Sequence, residues 1–327
     1  MSANIEKTVY INLARYTQPD AGKSWWVFLS ASIGAALFMF LGFYVYQFGW
    51  YYSLIAYPFV WIFWSRLFII VHDCGHKALF KDQLSNDIAG TIAGAFTTVP
   101  LPLWRFIHDQ HHKAVGHLEK RPINPDLWTL TVEEYKKASI VKKLIYRFMR
   151  NGMVRVFIAP AMLFILGRFP FPNLSWQSNV SIIAMDIVLF GVGYLVYVND
   201  AFLMVTIVYL IPLYVWLSFA AMMFYMQHQF EDTHWYEGED WSNYKASIHG
   251  SSYMHFGPFM TWMTGNVGYH HIHHLNAGIP FYKLKKANAS VAQMLKVKPI
   301  SFWNCIPSLK KKLWDENKRE LVPFKDI

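Results

Sequence analysis

Nine of the fourteen histidines fall into three short groups, His72-Asp-Cys-Gly-His76, His108-Asp-Gln-His111-His112 and His270-His-Ile-His273-His274. On a helix, residues three or four apart share a face, so His72 meets His76, His108 meets His111 and His112, and His270 meets His273 and His274. His271 lies about 100° around the helix from His270 and faces elsewhere. One such pair is commonplace on a protein surface. Three in one chain predict metal binding, since neutral imidazole is a ligand for zinc, copper, nickel and iron.

The elements that must position these rings are apolar. The chain has 327 residues, 54% hydrophobic, 18% aromatic and only 16% charged, which is too apolar for an ordinary soluble domain. Segments 25–46 and 51–71 are each long enough to cross about 30 Å of hydrocarbon and are joined by a short uncharged connection. Segments 179–198 and 201–226 form a second such pair. Arg66 sits near the end of the second segment, where it can snorkel, while Asp186 inside the third has no partner evident from sequence. Cys74 and Cys305 cannot make a disulfide framework. Residues 1–24 lack a secretory pattern, so the first apolar segment is expected to stay as an anchor.

Segment 153–169 is apolar but short, with Arg155 and Arg168 near its ends and Pro160 inside. If all histidine groups share one site, an even number of crossings separates His112 from His270, so this segment is predicted to lie in the interface or to enter and return. Basic residues concentrate in 72–155 and after 226, and the hairpin connections have none, which puts the termini and histidines on the cytoplasmic side. The expectation is one all-α membrane domain over 1–327. Four transmembrane helices form two hairpins, and 72–178 and 227–327 form a cytoplasmic histidine-rich cap. The net charge of +9 fits that topology and an anionic lipid surface. Lys136, Lys137, Lys142, Lys143, Lys285 and Lys286 are candidates for docking an acidic electron carrier. Trp104, Trp128, Trp235, Trp241 and Trp262 either seat the cap at headgroup level or form its core. Nothing in the chain resembles a nucleic-acid module.

A single tetrahedral zinc needs four ligands. The three groups supply eight converging histidines, and His228 follows the fourth span. Nine imidazoles furnish two ions with room for a small exogenous ligand, and two irons suit dioxygen chemistry. Ligation requires neutral imidazole, so metal is expected to be lost as pH falls toward and below about 6.5.

The chain resembles integral-membrane fatty acid desaturases of the acyl-lipid type. The resemblance rests on the first two histidine groups, on Phe224-Tyr-Met-Gln-His228 with Gln-Phe-Glu-Asp after it, and on Gly265-Asn-Val-Gly-Tyr-His-His-Ile-His-His-Leu275. The stretch Asp126-Leu-Trp-Thr-Leu-Thr-Val-Glu-Glu-Tyr135 resembles bacterial members acting on membrane lipids. The likeness runs from about Trp25 to Ala292. It implies a di-iron centre held by residues matching His72, His76, His108, His111, His112, His228, His270, His273 and His274. It also implies removal of two hydrogens from adjacent methylenes of a lipid acyl chain with dioxygen as co-substrate, giving a cis double bond, and a bacterial inner membrane location. The chain has no flavin or nicotinamide fingerprint, so an external, ferredoxin-like electron donor is implied.

Asp73 and Asp109 lie in their boxes pointing away from the ring face, where an acidic group can orient imidazole N–H groups. Asn266, four residues before His270, is a candidate to approach the metals. His117, His234, His249 and His255 fit no box and are expected at the surface or in packing. A membrane di-iron hydroxylase or ketolase acting on an alkane, sterol or carotenoid is the alternative within enzymes. A metal transporter would need ligands near the bilayer middle, whereas these histidines lie at span ends.

Overall fold

The computed structural model describes residues 2–121 and 128–327, and is mostly helical. Asp126 and Leu127, the start of one stretch carrying the resemblance, lie outside the described residues. Helix α1 (Ser2–Ala14) precedes α2 (Ala21–Tyr46). Asp20 caps α2 by accepting a hydrogen bond from the Lys23 amide at 2.8 Å, which satisfies one of the free N–H groups of its first turn. A short 3-10 turn, Trp50–Ile55, reverses the chain into α3 (Tyr57–Gly75), which has Pro58 in its first turn.

The second predicted crossing, 51–71, is therefore a turn followed by a helix that continues through the first histidine box. Among the described residues three helical stretches are long and apolar enough to cross a membrane by themselves: α2, Trp176–Val198 and Phe202–His228. Helix α3, which carries Arg66 and Asp73, is not among them. It is closely packed, with Trp64, Leu67 and Ile70 fully buried.

Beyond α3 come α4 (Gln83–Thr97) and α5 (Leu101–Ala114), then α6 (Val132–Lys137) and α7 (Ile140–Met149). A π-helical turn, Val154–Ile158, leads into α8 (Ala159–Leu166), and the pair is bent by 72° from α7, as a broken span or a re-entrant loop would be. Arg168 on the far side of α8 lies 3.5 Å from Asp186 of α9 (Trp176–Val198), which supplies the partner that sequence alone left unassigned. Most of α9 faces away from the protein, with Phe190 78% and Tyr197 81% exposed. Such a helix needs lipid around it.

Helix α10 (Phe202–Val205) runs through a π turn, Thr206–Leu210, into α11 (Ile211–His228). Pro212 cannot donate a backbone hydrogen bond, and a wider turn just before it absorbs the misfit. The remainder includes α12 (Asn243–His249), α13 (Pro258–Met263), α14 (His270–Leu275), α15 (Leu284–Leu295) and the short α16 (Phe302–Cys305).

The expectation of an all-α chain was too narrow. Strands β1 (Leu130–Thr131), β4 (Leu313–Asp315) and β5 (Glu320–Val322) form one small sheet, parallel then antiparallel, and β2 (Met254–His255) pairs in parallel with β3 (Ile300–Ser301). Strands of two or three residues give too short an alternation to read from sequence. Of the five tryptophans considered for the membrane interface, Trp235 is buried against Leu118, Tyr225 and Trp314, and Trp241 donates to the Val115 carbonyl at 3.0 Å. Both pack against the protein interior. Trp262 is half exposed.

Candidate metal centre

Four helix ends deliver the histidines. Helix α3 brings His72 and His76, α5 brings His108, His111 and His112, α11 ends at His228, and α14 carries His270, His273 and His274. Arg105 joins the first two: its Nε donates to the Gly75 carbonyl at 3.1 Å, and its Nη2 to the Cys74 carbonyl at 3.2 Å and to Asp87 at 2.6 Å. A guanidinium thus satisfies carbonyls that the end of α3 leaves open. Gly90 of α4 sits under the same turn, where an added Cβ would come within 2.7 Å of the Cys74 Cβ.

The fourth helix is aimed by the turn before it. Gly265 (φ +59°) and Asn266 (φ 60°) are both left-handed. A Cβ on Gly265 would stand 2.7 Å from Ile69 Cγ2, so conformation and close approach to α3 both require glycine there.

All nine predicted histidines meet in one cluster, six of them buried and His72, His76 and His112 partly so. Ligand atoms of His72, His76, His108 and His273 lie within 4.8 Å of one another, and so do those of His111, His228, His270 and His274. The Nε2 atoms face each other: His72 to His273 at 3.1 Å, His111 to His228 at 3.0 Å, His270 to His228 at 2.8 Å and His274 to His270 at 3.0 Å. His112 stands between the two groups, its Nε2 2.9 Å from that of His273 and its ring stacked on His274. Around a tetrahedral ion with bonds of about 2.1 Å, ligand atoms sit roughly 3.4 Å apart. The separations are close to that spacing. The buried His76 Nε2 has no hydrogen-bond partner, as a nitrogen aimed at an ion would not.

Electrostatics favour the ligand form. Burial, and secondarily the neighbouring imidazoles, hold His76, His108, His112, His270, His273 and His274 well below the usual histidine pKa. These rings stay neutral and keep a lone pair free. The residues present thus fit a pair of borderline transition-metal ions.

The supporting groups divide. Asp73 is buried, and its carboxylate takes one hydrogen bond from His72 Nδ1 at 3.0 Å and another from the Phe281 amide at 2.6 Å. Proton on Nδ1 leaves the His72 Nε2 lone pair facing the cluster. The Gly250 carbonyl does the same for His228, 2.8 Å from its Nδ1. Asn266 donates from Nδ2 to the Phe281 carbonyl at 3.1 Å. Among the described residues neither it nor Asp109 is seen bonded to a histidine.

His271 is buried on the opposite side against Asn288, 3.0 Å away. His117 pairs with Glu119 at 3.3 Å, His249 with the Tyr236 hydroxyl, and His234 packs on Tyr236 and Trp314. His255 is exposed on β2. Sequence reasoning missed two walls of the site. Trp104 stacks on His108 at 4.8 Å, and Phe224 packs on His111 at 4.9 Å and on His228. Each is four residues before a histidine of its own helix, a spacing that would have marked both.

From His72, His108 and His270 an apolar cleft with about 70 Å³ of water-sized free space leads back between α3 and α11, past Phe68, Met223 and Ala220.

The sequence profile of a family described as fatty acid desaturase matches residues 48–304. A fatty acid desaturase of Bacillus subtilis (strain 168) is 34% identical over 270 residues, covering 81% of this chain and 75% of that protein. An sn-1 acyl-lipid omega-3 desaturase (ferredoxin) of Nostoc sp. (strain 36) is 25% identical, covering 74% and 69%. An sn-1 oleoyl-lipid 12-desaturase of Synechocystis sp. is 23% identical, covering 82% and 76%.

Proposed function

The chain belongs to the fatty acid desaturase family and is an oxidoreductase, and on that premise we propose that it inserts a cis double bond into an acyl chain of a membrane lipid. The balanced reaction oxidises a –CH2–CH2– pair to –CH=CH–, and the two hydrogens removed, with one O2, two electrons and two protons, become two waters. The observation that carries this reading is the convergence of eight imidazoles in two adjoining sets, with His112 between them, beside an apolar cleft.

His72, His76, His108 and His273 would hold one iron, and His111, His228, His270 and His274 the other, with His112 between them. When bound, the two irons supply dioxygen activation and the oxidising power needed for an unactivated methylene. The chain's own residues do the rest. Asp73 and the Gly250 carbonyl fix ring orientation, Trp104 and Phe224 exclude water, and the cleft holds the acyl carbons beside the rings. Holding reactants in place is worth several kcal/mol of barrier. The electrons would come from an external carrier, as the name of the Nostoc relative indicates for that protein, and the exposed Lys136, Lys137 and Lys142, with the partly buried Lys143, offer a basic face for it.

In this reading α3 completes a set of four crossings with α2, α9 and the α10–α11 helix, and the α8 segment lies in the interface, so the cluster faces the cytoplasm of a bacterial inner membrane. Anionic lipid would contact the basic cytoplasmic surface.

The test is a fatty acyl profile by gas chromatography and mass spectrometry from a host making this chain, beside a His273→Ala control. A new unsaturated species found only with the intact protein is the expected result. Hydroxylated acyl products in its place would refute desaturation.

A further inference from the structure

We propose that Arg150 and Lys312, helped by the Tyr225 hydroxyl, bind the phosphate of a membrane phospholipid at the junction of α7 and α11. This rests on the membrane placement proposed above and not on the chemistry at the imidazoles. Arg150 closes α7 and is fully buried. Its Nη2 donates to Gln229 Oε1 at 3.0 Å, and Gln229 Nε2 donates in turn to the Lys311 carbonyl at 3.3 Å, so the guanidinium is held in place. Its Nε and Nη1 have no hydrogen-bond partner, and neither has the buried Tyr225 hydroxyl.

Lys312 is brought to the same spot by α7. The Tyr146 hydroxyl, one turn before Arg150, donates to the Lys312 carbonyl. The Lys312 side chain is 8% exposed, and burial, then the charges of Arg150 and Arg155, lower its pKa to about 7. The guanidinium carbons of Arg150 and Arg155 stand 5.7 and 4.3 Å from the centre of the Tyr225 ring. Among the described residues no carboxylate lies within ion-pair distance of Arg150 or Lys312. Cations buried without a counter-charge are strongly unfavourable, so an anion that reaches them gains both charge and donors.

The surroundings say what carries that anion. Ile140, Val141, Leu144, Ile145 and Phe148 are all exposed, and their spacing puts them on one face of α7. A helix with such a face lies in the membrane surface. On the other side of Arg150 the chain bends by 72°, and Met153, Phe157 and Ile158 are exposed in turn. Lipid on both flanks sets the headgroups at the level of the bend. Phosphate oxygens accept several charge-assisted hydrogen bonds, which suits a guanidinium beside an ammonium. Free phosphate shares that chemistry but has no acyl chains to cover the apolar face of α7. Tyr225 lies on a flank of α11 that does not line the apolar cleft, so this site is separate from it.

The full chain, purified in a neutral detergent, would be melted with dioctanoyl phosphatidic acid, with dioctanoylglycerol, and with inorganic phosphate at matched ionic strength. The expected result is a saturable rise in melting temperature with the phosphatidic acid, larger than with either control. Equal stabilisation by dioctanoylglycerol would mean that the tails alone bind, and equal stabilisation by inorganic phosphate would mean a free-anion site. Either overturns the proposal. Arg150→Gln and Lys312→Met each remove a charge-assisted contact and should raise the dissociation constant of the lipid about tenfold. Lys312→Met removes a buried charge and keeps the fold, so it tests the site even if Arg150→Gln does not fold, and unchanged affinity in Lys312→Met overturns the assignment. Binding is measured on the metal-free chain as well as the iron-loaded one. A chain that binds phosphatidic acid in this way yet makes no unsaturated product, with iron and a reductant supplied, refutes the desaturase reading and leaves this site standing; product formed without any preference for phosphate does the reverse.

Discussion

Replacing Asp73 by alanine should release metal far more than it loosens the fold. The carboxylate accepts from His72 Nδ1 and from the Phe281 amide while only 2% exposed. Deleting it strands two buried donors, each worth about 1–3 kcal/mol when unpaired. Part of that is recovered because a buried carboxylate no longer has to be desolvated. The metal term has no such offset. Without its acceptor the His72 ring is free to rotate and to move its proton to Nε2, the atom 3.1 Å from His273. Loss of such an orienting partner typically lowers metal affinity 10–100-fold, which is about 1.4–2.7 kcal/mol at one decade per 1.4 kcal/mol. Asp73→Asn has one acceptor for two donors and should fall at the lower end. The assay is iron per chain after dialysis against graded chelator, with melting curves on the same samples. If Asp73→Ala holds iron within threefold of the wild type, or loses it only in proportion to unfolded protein, the orienting role is wrong.

Three further outcomes follow from packing and charge. Gly90→Ala places a methyl 2.7 Å from the Cys74 Cβ and 2.9 Å from Leu101, so the α3–α4 contact should weaken by about 1–3 kcal/mol, read as a lowered melting temperature. Asp186→Ala leaves Arg168 without its carboxylate, and because both are only partly buried the expected loss is about 1–3 kcal/mol, between the surface and buried limits. Adding Arg168→Met should restore most of it, and a double variant no better than the single one would argue against the pair. Burial, and then Arg150 and Arg155, bring Lys312 down from 10.5 to about 7. Between those values the unfolded chain binds the extra proton, so stability should rise with pH across that window and fall as pH drops through 7. Lys312→Met should melt higher at neutral pH and lose this dependence. Parallel melting profiles of variant and wild type from pH 6.5 to 10 would refute it.

What could be read from the chain alone was everything that depends on local spacing. Residues three and four apart on one helix converge wherever that helix lies, so His72 with His76, His108 with His111 and His112, and His270 with His273 and His274 were legible, as was the exclusion of His271. Long apolar runs announce their need for lipid in the same local way, and α2, α9 and α10–α11 were found within a few residues. The run at 51–71 misled because hydropathy does not register that its first residues make a 3-10 turn. His228 stood outside every spacing argument, and only its place just after the fourth span, and then the resemblance, brought it into the set.

The division of the imidazoles between two sets, with His112 between, was decided by how α3, α5, α11 and α14 cross. It joins residues as far apart in sequence as His72 and His273, and no periodicity carries such information. The same holds for the Arg168–Asp186 pair, the Asp73 bond to the Phe281 amide, the small β sheets and the apolar cleft between α3 and α11. Sequence determines which faces are apolar and which nitrogens can share a helix side. Partner choice across the molecule is an outcome of packing, because each of those contacts exists only when distant helices are already in place.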